Sequence, residues 1–214
     1  MNPEFSVRQE VFLDLRQYFT ETIGEVAFSR FLALLPTSLK LVFARDDEPD
    51  APISAREFSI LLAAVDMQVH PMLGDFGASW GRHFIVSRAR EFTGDLTPGQ
   101  LDSLVRMFHQ RRSSAILHVA ARLQKGLELL PRWFYPLDVA MDERISPSQL
   151  AFNAQARPVN LPLFCNVLCG FASGILEVHH LPFLRIQEEF CMTSGNMACS
   201  FVILFEQETP LSFF

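Results

Sequence analysis

The chain has 214 residues, enough for one large domain or two small ones. Its formal net charge of −6 argues against a protein that binds nucleic acid irrespective of sequence, because such a protein needs a basic surface. Hydrophobic residues make up 49% of the chain, and phenylalanine contributes 21 residues against 2 tyrosines and 2 tryptophans. This excess of apolar aromatic side chains predicts a lipophilic cavity or an oligomer interface.

The first residues carry charges among their apolar positions, so they predict neither a signal peptide nor a membrane span. No uncharged apolar run reaches about 18 residues, the length a membrane helix needs. With no export signal, the cysteines are better explained as metal ligands or free thiols than as disulfides. A cytoplasmic protein is therefore expected.

Residues 7–35 have apolar side chains at helical spacing and predict a helix that is broken near Gly24. This segment is apolar on more than one side, which favours burial against a second copy of the chain and hence a homodimer. Residues 39–44 predict a short strand or an extended connection. Residues 45–52 form an acidic loop without the glycine and distal glutamate of a calcium site.

Three further helices are predicted before residue 130. Ser54, with Glu57 three residues later, forms a capping box that opens the first of them. The second, residues 73–92, is rich in glycine, which favours tight packing against another helix. Thr97 and Pro98 begin the third, with threonine as the cap and proline in the first turn.

After Pro131 the apolar period changes from that of a helix to that of a strand. Two strands, a buried helix over residues 161–178 and two more strands follow in turn. The order β-β-α-β-β predicts a four-stranded antiparallel sheet covered by helices, in an α+β fold with a helical N-terminal half. We divide the chain into a helical region, residues 1–130, and an α+β region, residues 131–214, expected to form one compact unit.

The cysteines cluster in the C-terminal region together with a carboxylate. Strand alternation points Glu188 to the same apolar face as Cys199, and a carboxylate facing a core is costly unless it is paired. Cys191 follows the first of these strands, and Cys165 lies in the first turn of the covering helix. Three thiolates and one carboxylate form a complete tetrahedral ligand set for zinc.

The spacing alone leaves two alternatives open. The cysteines also suit the role of small buried apolar residues, with Glu188 paired to an arginine such as Arg185. Cys169 lies one helical turn after Cys165 on the same face, and it is a candidate to replace Glu188 in a four-cysteine site.

A longer pattern surrounds these residues. Cys165, the run Gly170-Phe171-Ala172-Ser173-Gly174, and then Glu188, Cys191 and Cys199 together resemble the C-terminal half of the 4-vinyl reductase domain. The similarity is greatest to the sensory domains of phenol- and toluene-responsive transcription activators and is most specific over residues 161–205. It implies a structural zinc bound by Cys165, Glu188, Cys191 and Cys199 beside an aromatic-ligand pocket, with Cys169 not a ligand.

No catalytic set is apparent, because the chain has neither a nucleophile elbow nor a dinucleotide fingerprint. We therefore predict a non-enzymatic sensor domain that binds a hydrophobic or aromatic small molecule between the sheet and the helices. Aromatic walls with one or two polar tips suit such a ligand. The candidates for lining the pocket are His118, Trp133, Phe134 and Tyr135. A partner protein or the dimer would transmit the signal.

Two other classes follow from the same resemblance. Stand-alone members of the family suggest a carrier or assembly factor for the synthesis of tetrapyrrole pigments of the bacteriochlorophyll type, which the high phenylalanine content suits. Related trafficking-complex proteins suggest a structural interaction subunit that binds lipid and dimerises.

Overall fold

A computed structural model describes residues 6–44, 52–73, 75–94, 96–156 and 163–206 of the protein. In chain order the elements are β1 (Ser6–Val7), α1 (Gln9–Ile23), α2 (Glu25–Leu34), α3 (Thr37–Ala44), β2 (Ile53–Ser54), α4 (Ala55–Leu73), α5 (Phe76–Ser87), α6 (Ala89–Thr93), α7 (Pro98–Gln110), α8 (Arg112–Leu127), β3 (Phe134–Tyr135), β4 (Leu137–Met141), β5 (Gln149–Ala156), α9 (Phe164–Val178), β6 (Arg185–Phe190) and β7 (Cys199–Leu204). Short 3-10 helices lie at Leu130–Arg132 and Met192–Ser194. The predicted α+β class with a helical N-terminal half is confirmed.

The larger sheet is antiparallel, with strand order β4-β5-β7-β6. Phe152 on β5 pairs with Phe201 on β7, and their rings stack with centroids 4.8 Å apart. β7 is almost wholly buried, whereas β6 forms the exposed edge of the sheet. Helix α8 packs against β4 and helix α9 against β6, so the sheet carries helices at both of its edges.

A second, three-stranded sheet has the order β2-β1-β3 and is built from strands of two residues each. Two residues are too few to show the alternation that marks a strand in a sequence. The strand proposed for residues 39–44 is wrong, because this segment is helix α3. Its buried residues Leu39, Val42 and Phe43 are spaced three and four apart, which places them on one helical face. The acidic loop predicted at residues 45–52 lies outside the described residues, except for Pro52.

The N-terminal helices break at Gly24, as predicted. Its φ of 82° lies in the region that favours glycine and separates α1 from α2. The ring of Phe19 stacks on that of Phe31, with centroids 5.0 Å apart, and lies 5.8 Å from that of Phe28. These phenylalanines are buried within a single chain. Much of the apolar surface attributed to a dimer contact is therefore internal, and the homodimer stays a prediction.

Both predicted caps are confirmed. The Ser54 hydroxyl accepts a hydrogen bond from the Glu57 backbone N–H at 3.3 Å, and the Glu57 carboxylate accepts from the Ser54 backbone N–H at 3.1 Å. Thr97 and Gln100 form the same reciprocal box at the start of α7. These caps satisfy backbone donors that the first helical turn leaves unpaired.

Helix α5 lies in backbone contact with α9. A Cβ added to Gly81 on α5 would lie 2.4 Å from the carbonyl oxygen of Val167. A Cβ added to Gly170 on α9 would lie 2.2 Å from the carbonyl oxygen of Ala78. Only glycine fits at this separation, so the predicted tight helix packing is confirmed and α9 is fixed to the helical region.

A buried ion pair fastens the other side of α5 to α1. The Asp14 carboxylate accepts hydrogen bonds from the Trp80 indole N–H at 3.0 Å and from the Arg88 guanidinium at 2.5 Å. The guanidinium carbon of Arg88 also lies 4.0 Å from the centroid of the Phe84 ring. Since both partners of the charge pair are well covered, the pair fixes how α1 meets α5.

Candidate functional site

Four chemically matched side chains meet where α9 approaches the end of the β6–β7 hairpin. Cys165 lies in the first turn of α9, and Cys199 is the first residue of β7. Glu188 lies on β6, and Cys191 follows the end of that strand. A register irregularity between Glu188 and Phe190 marks a bulge in β6, a feature that redirects side chains near functional sites.

The sulfur atoms have the spacing of ligands around one metal ion. Cys165 Sγ lies 3.3 Å from Cys199 Sγ and 3.7 Å from Cys191 Sγ, and Cys199 Sγ lies 3.9 Å from Cys191 Sγ. One ligand atom from each of the four residues, Glu188 included, lies within 4.8 Å of all the others. A tetrahedral centre with bonds of about 2.3 Å has edges of about 3.8 Å. The three thiol groups therefore already form one face of such a tetrahedron.

The thiols interact strongly with one another. The hydrogen bond from the Cys165 thiol lowers the pKa of Cys199 to about 7, although burial opposes the shift. The same hydrogen bond, and then burial, raises the pKa of Cys165, and the nearby Glu188 raises it further. Burial is also the main cause of the raised pKa of Cys191. The Cys199 thiol therefore ionises more readily than the thiols of Cys165 and Cys191.

Neighbouring groups support the sulfur atoms from outside the cluster. The Met192 backbone N–H donates to Cys199 Sγ at 3.4 Å, and the Thr193 hydroxyl donates to Cys191 Sγ at 2.9 Å. Such hydrogen bonds orient thiolate ligands and stabilise their charge. Both donors come from the 3-10 turn between β6 and β7, so the hairpin itself organises two of the sulfurs.

The structure bears differently on the two alternatives from the sequence. The burial of Cys165 and Cys199 agrees with a role as small apolar residues. Cys169 lies outside the four-residue group and is half-buried, and burial raises its pKa to about 12. Across the described residues, no ion pair joins Glu188 to Arg185. Glu188 is exposed and does not face the core as expected, and one of its carboxylate oxygens lies within 4.8 Å of the three sulfur atoms.

The four residues predicted to line a ligand pocket do not surround one cavity. Trp133 is buried against Phe84 and Phe92, with ring centroids 5.3 and 6.0 Å away. Phe134 is fully buried in the aromatic core, Tyr135 is 54% exposed, and His118 is exposed on α8. The sequence identified aromatic residues correctly, but it could not show that core packing already uses two of them.

Cavities among the described residues lie elsewhere. A groove of about 290 Å³ between α7 and α8 includes His118. A surface hollow of about 530 Å³ lies beside the end of α9, where Arg82 and Glu177 form a salt bridge and His180 contributes to the wall. A third cavity, of about 120 Å³, is lined partly by His109 and Arg112. The α7–α8 groove was missed because its shape depends on the distance between two helices.

The backbone as a whole is similar to solved structures of H-NOX proteins. The H-NOX protein from S. oneidensis in the Fe(II)NO ligation state superposes with a TM-score of 0.58, at 15% identity, over 94% of this chain and 99% of that one. The unliganded Fe(II) H-NOX protein from K. algicida gives a TM-score of 0.58 at 13% identity, over 94% and 98% of the two chains. A structure from work on heme distortion in the H-NOX family gives 0.58 at 11% identity, covering 94% and 95%. At these identities the similarity establishes the fold.

No protein-family model and no curated protein matches the sequence. The assignment to the 4-vinyl reductase family is wrong, because the similar structures are H-NOX proteins and the similarity extends over nearly the whole chain. The motif behind that assignment occupies only a short C-terminal stretch. Among the described helices, none is long and apolar enough to cross a membrane.

The cofactor prediction also needs correction. Zinc as the cofactor is wrong, since the similar structures are H-NOX proteins described with Fe(II) and with heme. The reason for the error is that the prediction rested on four ligand residues and on a family resemblance carried by a short C-terminal stretch. The four residues of the cluster do not indicate which cofactor the similar structures bind.

Heme does not fit the described residues of this chain. Heme iron needs an axial ligand such as histidine in a site that covers most of the macrocycle. His109, His118 and His180 each line a cavity, but all three side chains are exposed. The Nε2 atoms of His83 and His179 are buried without a hydrogen-bond partner, yet neither residue lines any of these cavities. The same mismatch weighs against a tetrapyrrole carrier.

Proposed function

We propose that the chain is a non-enzymatic small-molecule-binding sensor domain in which a thiolate–carboxylate centre holds a metal ion. Cys165, Glu188, Cys191 and Cys199 are its ligands. The observation that carries the proposal is the set of three Sγ–Sγ distances, 3.3, 3.7 and 3.9 Å, which match the edges of one tetrahedron. The H-NOX fold supports the sensor part, because H-NOX proteins with this fold have been solved in the Fe(II)NO and Fe(II)CO ligation states.

The ion would link two parts of the chain that are otherwise held by different contacts. Cys165 moves with α9, which glycine contacts fix to α5, whereas Cys191 and Cys199 belong to the β6–β7 hairpin. Because metal binding to a folded site contributes directly to folding free energy, the centre would stabilise this junction. Since thiolate sulfur favours soft or borderline ions, a thiophilic divalent metal suits the set.

Cobalt(II) provides a direct test, because a tetrahedral thiolate site gives it intense visible absorption and charge-transfer bands. The metal-free chain, titrated with cobalt(II), should show both at a stoichiometry of one ion per chain. Cys199→Ser should lose these bands and bind cobalt(II) at least about 100-fold more weakly, since second-shell changes alone cost about 10- to 100-fold. Elemental analysis of the purified protein would identify the native metal.

Cys169→Ser is the matched control, because Cys169 is on the same helix as Cys165 and outside the group. It should retain the wild-type cobalt(II) spectrum. A wild-type protein without tetrahedral cobalt(II) bands, or equal spectra for the two variants, would exclude the metal centre. A Cys165–Cys199 disulfide in the purified protein, found by mass spectrometry after thiol alkylation, would point instead to redox chemistry.

Signal output through a homodimer or a partner protein is a further part of this proposal. Val26 and Leu34 on α2 are large apolar residues that are 70% and 68% exposed, in the segment expected to dimerise. Sedimentation of the wild type and of Leu34→Glu would test this part. A wild type that sediments as a monomer would remove the homodimer and leave a partner protein as the route for the signal.

A further inference from the structure

The groove between α7 and α8 combines an apolar floor with cationic and amide donors. The residues that line its volume of about 290 Å³ are Leu96, Gln100, Ser103, Leu104, Met107, His118 and Arg122. None of these described residues carries a carboxylate, although the whole chain has a net charge of −6. Arg122 therefore gives the described lining a charge opposite in sign to that of the protein.

Several hydrogen-bond donors in the groove have no acceptor within the described part of the protein. The Gln100 amide oxygen accepts from the Thr97 backbone N–H at 2.9 Å, which leaves the amide NH₂ without a described partner. The Ser103 hydroxyl donates to the Gly99 carbonyl at 2.8 Å. Across the described part of the chain, the side chains of His118 and Arg122 form no hydrogen bond and no ion pair. A ligand at this place must therefore supply acceptors, and the guanidinium fits a carboxylate best.

The other side chains that line the groove are apolar and favour a ligand with a hydrocarbon part. Leu96, Leu104 and Met107 are all half-buried and contribute the apolar surface. One water molecule occupies about 30 Å³ in the liquid. If each non-hydrogen atom of a ligand needs a similar volume, the groove holds roughly ten of them. Flexible methionine adapts to ligands of different shape.

We propose that this groove binds an apolar monocarboxylate of about ten non-hydrogen atoms, with the carboxylate at Arg122 and the hydrocarbon over Leu104 and Met107. The inference rests on the proposed ligand-binding function and names its ligand class. Arg122 forms the charge-assisted hydrogen bonds, and the donors of Gln100 and His118 lie on the walls of the same groove. A fatty acid and an aromatic acid share this chemistry, and binding assays separate them.

Calorimetric titration of the full chain with octanoate and with octanamide tests the inference. The two ligands have the same size, and only octanoate carries a charge. We expect octanoate to bind at least about tenfold more tightly, the factor that corresponds to about 1.4 kcal/mol. Its affinity should fall as salt is added, because the site is half-open to solvent. Phenylacetate in place of octanoate distinguishes an aromatic from an aliphatic acid.

Arg122→Gln should remove the preference for octanoate over octanamide. Arg106→Gln is the matched control, because Arg106 is an exposed arginine of α7 that does not line the groove. It should keep the wild-type preference. Equal affinities of the wild type for the two ligands, or no heat with either at millimolar concentration, would overturn the inference. These ligand comparisons in the wild type do not depend on how well either variant folds.

The two proposals fail separately. Loss of the cobalt(II) bands in Cys199→Ser tests the metal centre and needs no ligand, whereas the octanoate titration is carried out on the wild type. A chain that binds cobalt(II) but no octanoate would lack the carboxylate site and keep the metal centre. The reverse result would keep the groove and exclude the metal centre.

Discussion

The helix pairs α5–α9 and α7–α8 differ in how closely their two helices approach each other. Glycines let α5 and α9 approach so closely that a Cβ added to Gly81 or Gly170 would meet the backbone of the other helix. In α7, Phe108 is the only fully buried residue, and Leu104 and Met107 stay half-exposed beside a groove. One pair therefore gives a rigid support for the cysteine cluster, and the other gives room for a ligand.

The difference follows from side-chain volume at the contact. A closely packed interface leaves no voids, and adding even one methyl group there forces the backbone apart. A half-open pair of larger side chains tolerates change, because solvent or a ligand can occupy the remaining volume. The comparison predicts that equal substitutions will have very unequal effects in the two pairs.

Gly170→Ala should have the largest effect. The new Cβ would lie 2.2 Å from the Ala78 carbonyl oxygen and 2.8 Å from the Arg82 backbone nitrogen, and neither atom can move without its helix. We expect the free energy of unfolding to fall by about 3 kcal/mol, the upper end for an overpacked core. Thermal melting should show a transition about 10 °C lower. Affinity for cobalt(II) should also fall, because α9 carries Cys165.

An unchanged melting temperature for Gly170→Ala would mean that α5 and α9 lie farther apart than the backbone contact indicates. Retained stability with lost cobalt(II) binding would locate the effect at Cys165 alone.

The buried side chain of His179 should make the free energy of unfolding depend on pH. It is 1% exposed at the end of α9, and its Nδ1 atom lies 2.7 Å from the Ile175 carbonyl oxygen. Burial is the main cause of its lowered pKa, and Arg122 on α8 adds to the shift. The unfolded chain, with a histidine pKa of about 6.5, binds the proton more readily. The free energy of unfolding should therefore fall as the pH decreases below about 6.5.

Urea unfolding at a series of pH values would measure this dependence. His179→Gln should make the free energy of unfolding less dependent on pH below about 6.5 than in the wild type. His109 is exposed on α7, so His109→Gln should leave this dependence unchanged. Parallel slopes for the wild type and His179→Gln would show that other groups cause the acid sensitivity.

Local signals in the sequence predicted much of the fold. The caps at Ser54 and Thr97 and the break at Gly24 depend on neighbours within a few residues, so composition and spacing were sufficient. The caps and the break are therefore fixed by short-range geometry. The contact of Cys165 with Cys191 joins residues 26 positions apart, and its prediction needed the expected order of one helix and two strands as well.

Features that depend on distant contacts were not predictable in the same way. The α7–α8 groove exists because two helices separate, and no spacing within either helix specifies that distance. Trp133 and Phe134 were expected at a ligand, but the rings of Phe84 and Phe92 already occupy the surroundings of Trp133. The family assignment was wrong, because a short C-terminal motif does not determine the arrangement of the whole backbone, which is similar to that of H-NOX proteins.

Gly99→Ala should have the smallest effect and the opposite sign. Gly99 lies in the first turn of α7, and a Cβ added to it would meet no atom within 4 Å. Alanine lowers the conformational entropy of the unfolded chain and favours the helix, so the free energy of unfolding should rise by about 0.5 kcal/mol. The melting temperature should rise by about 2 °C, and octanoate binding should not change. A loss of stability comparable to that of Gly170→Ala would mean that α7 packs as closely as α9, and the contrast between the two helix pairs would then fail.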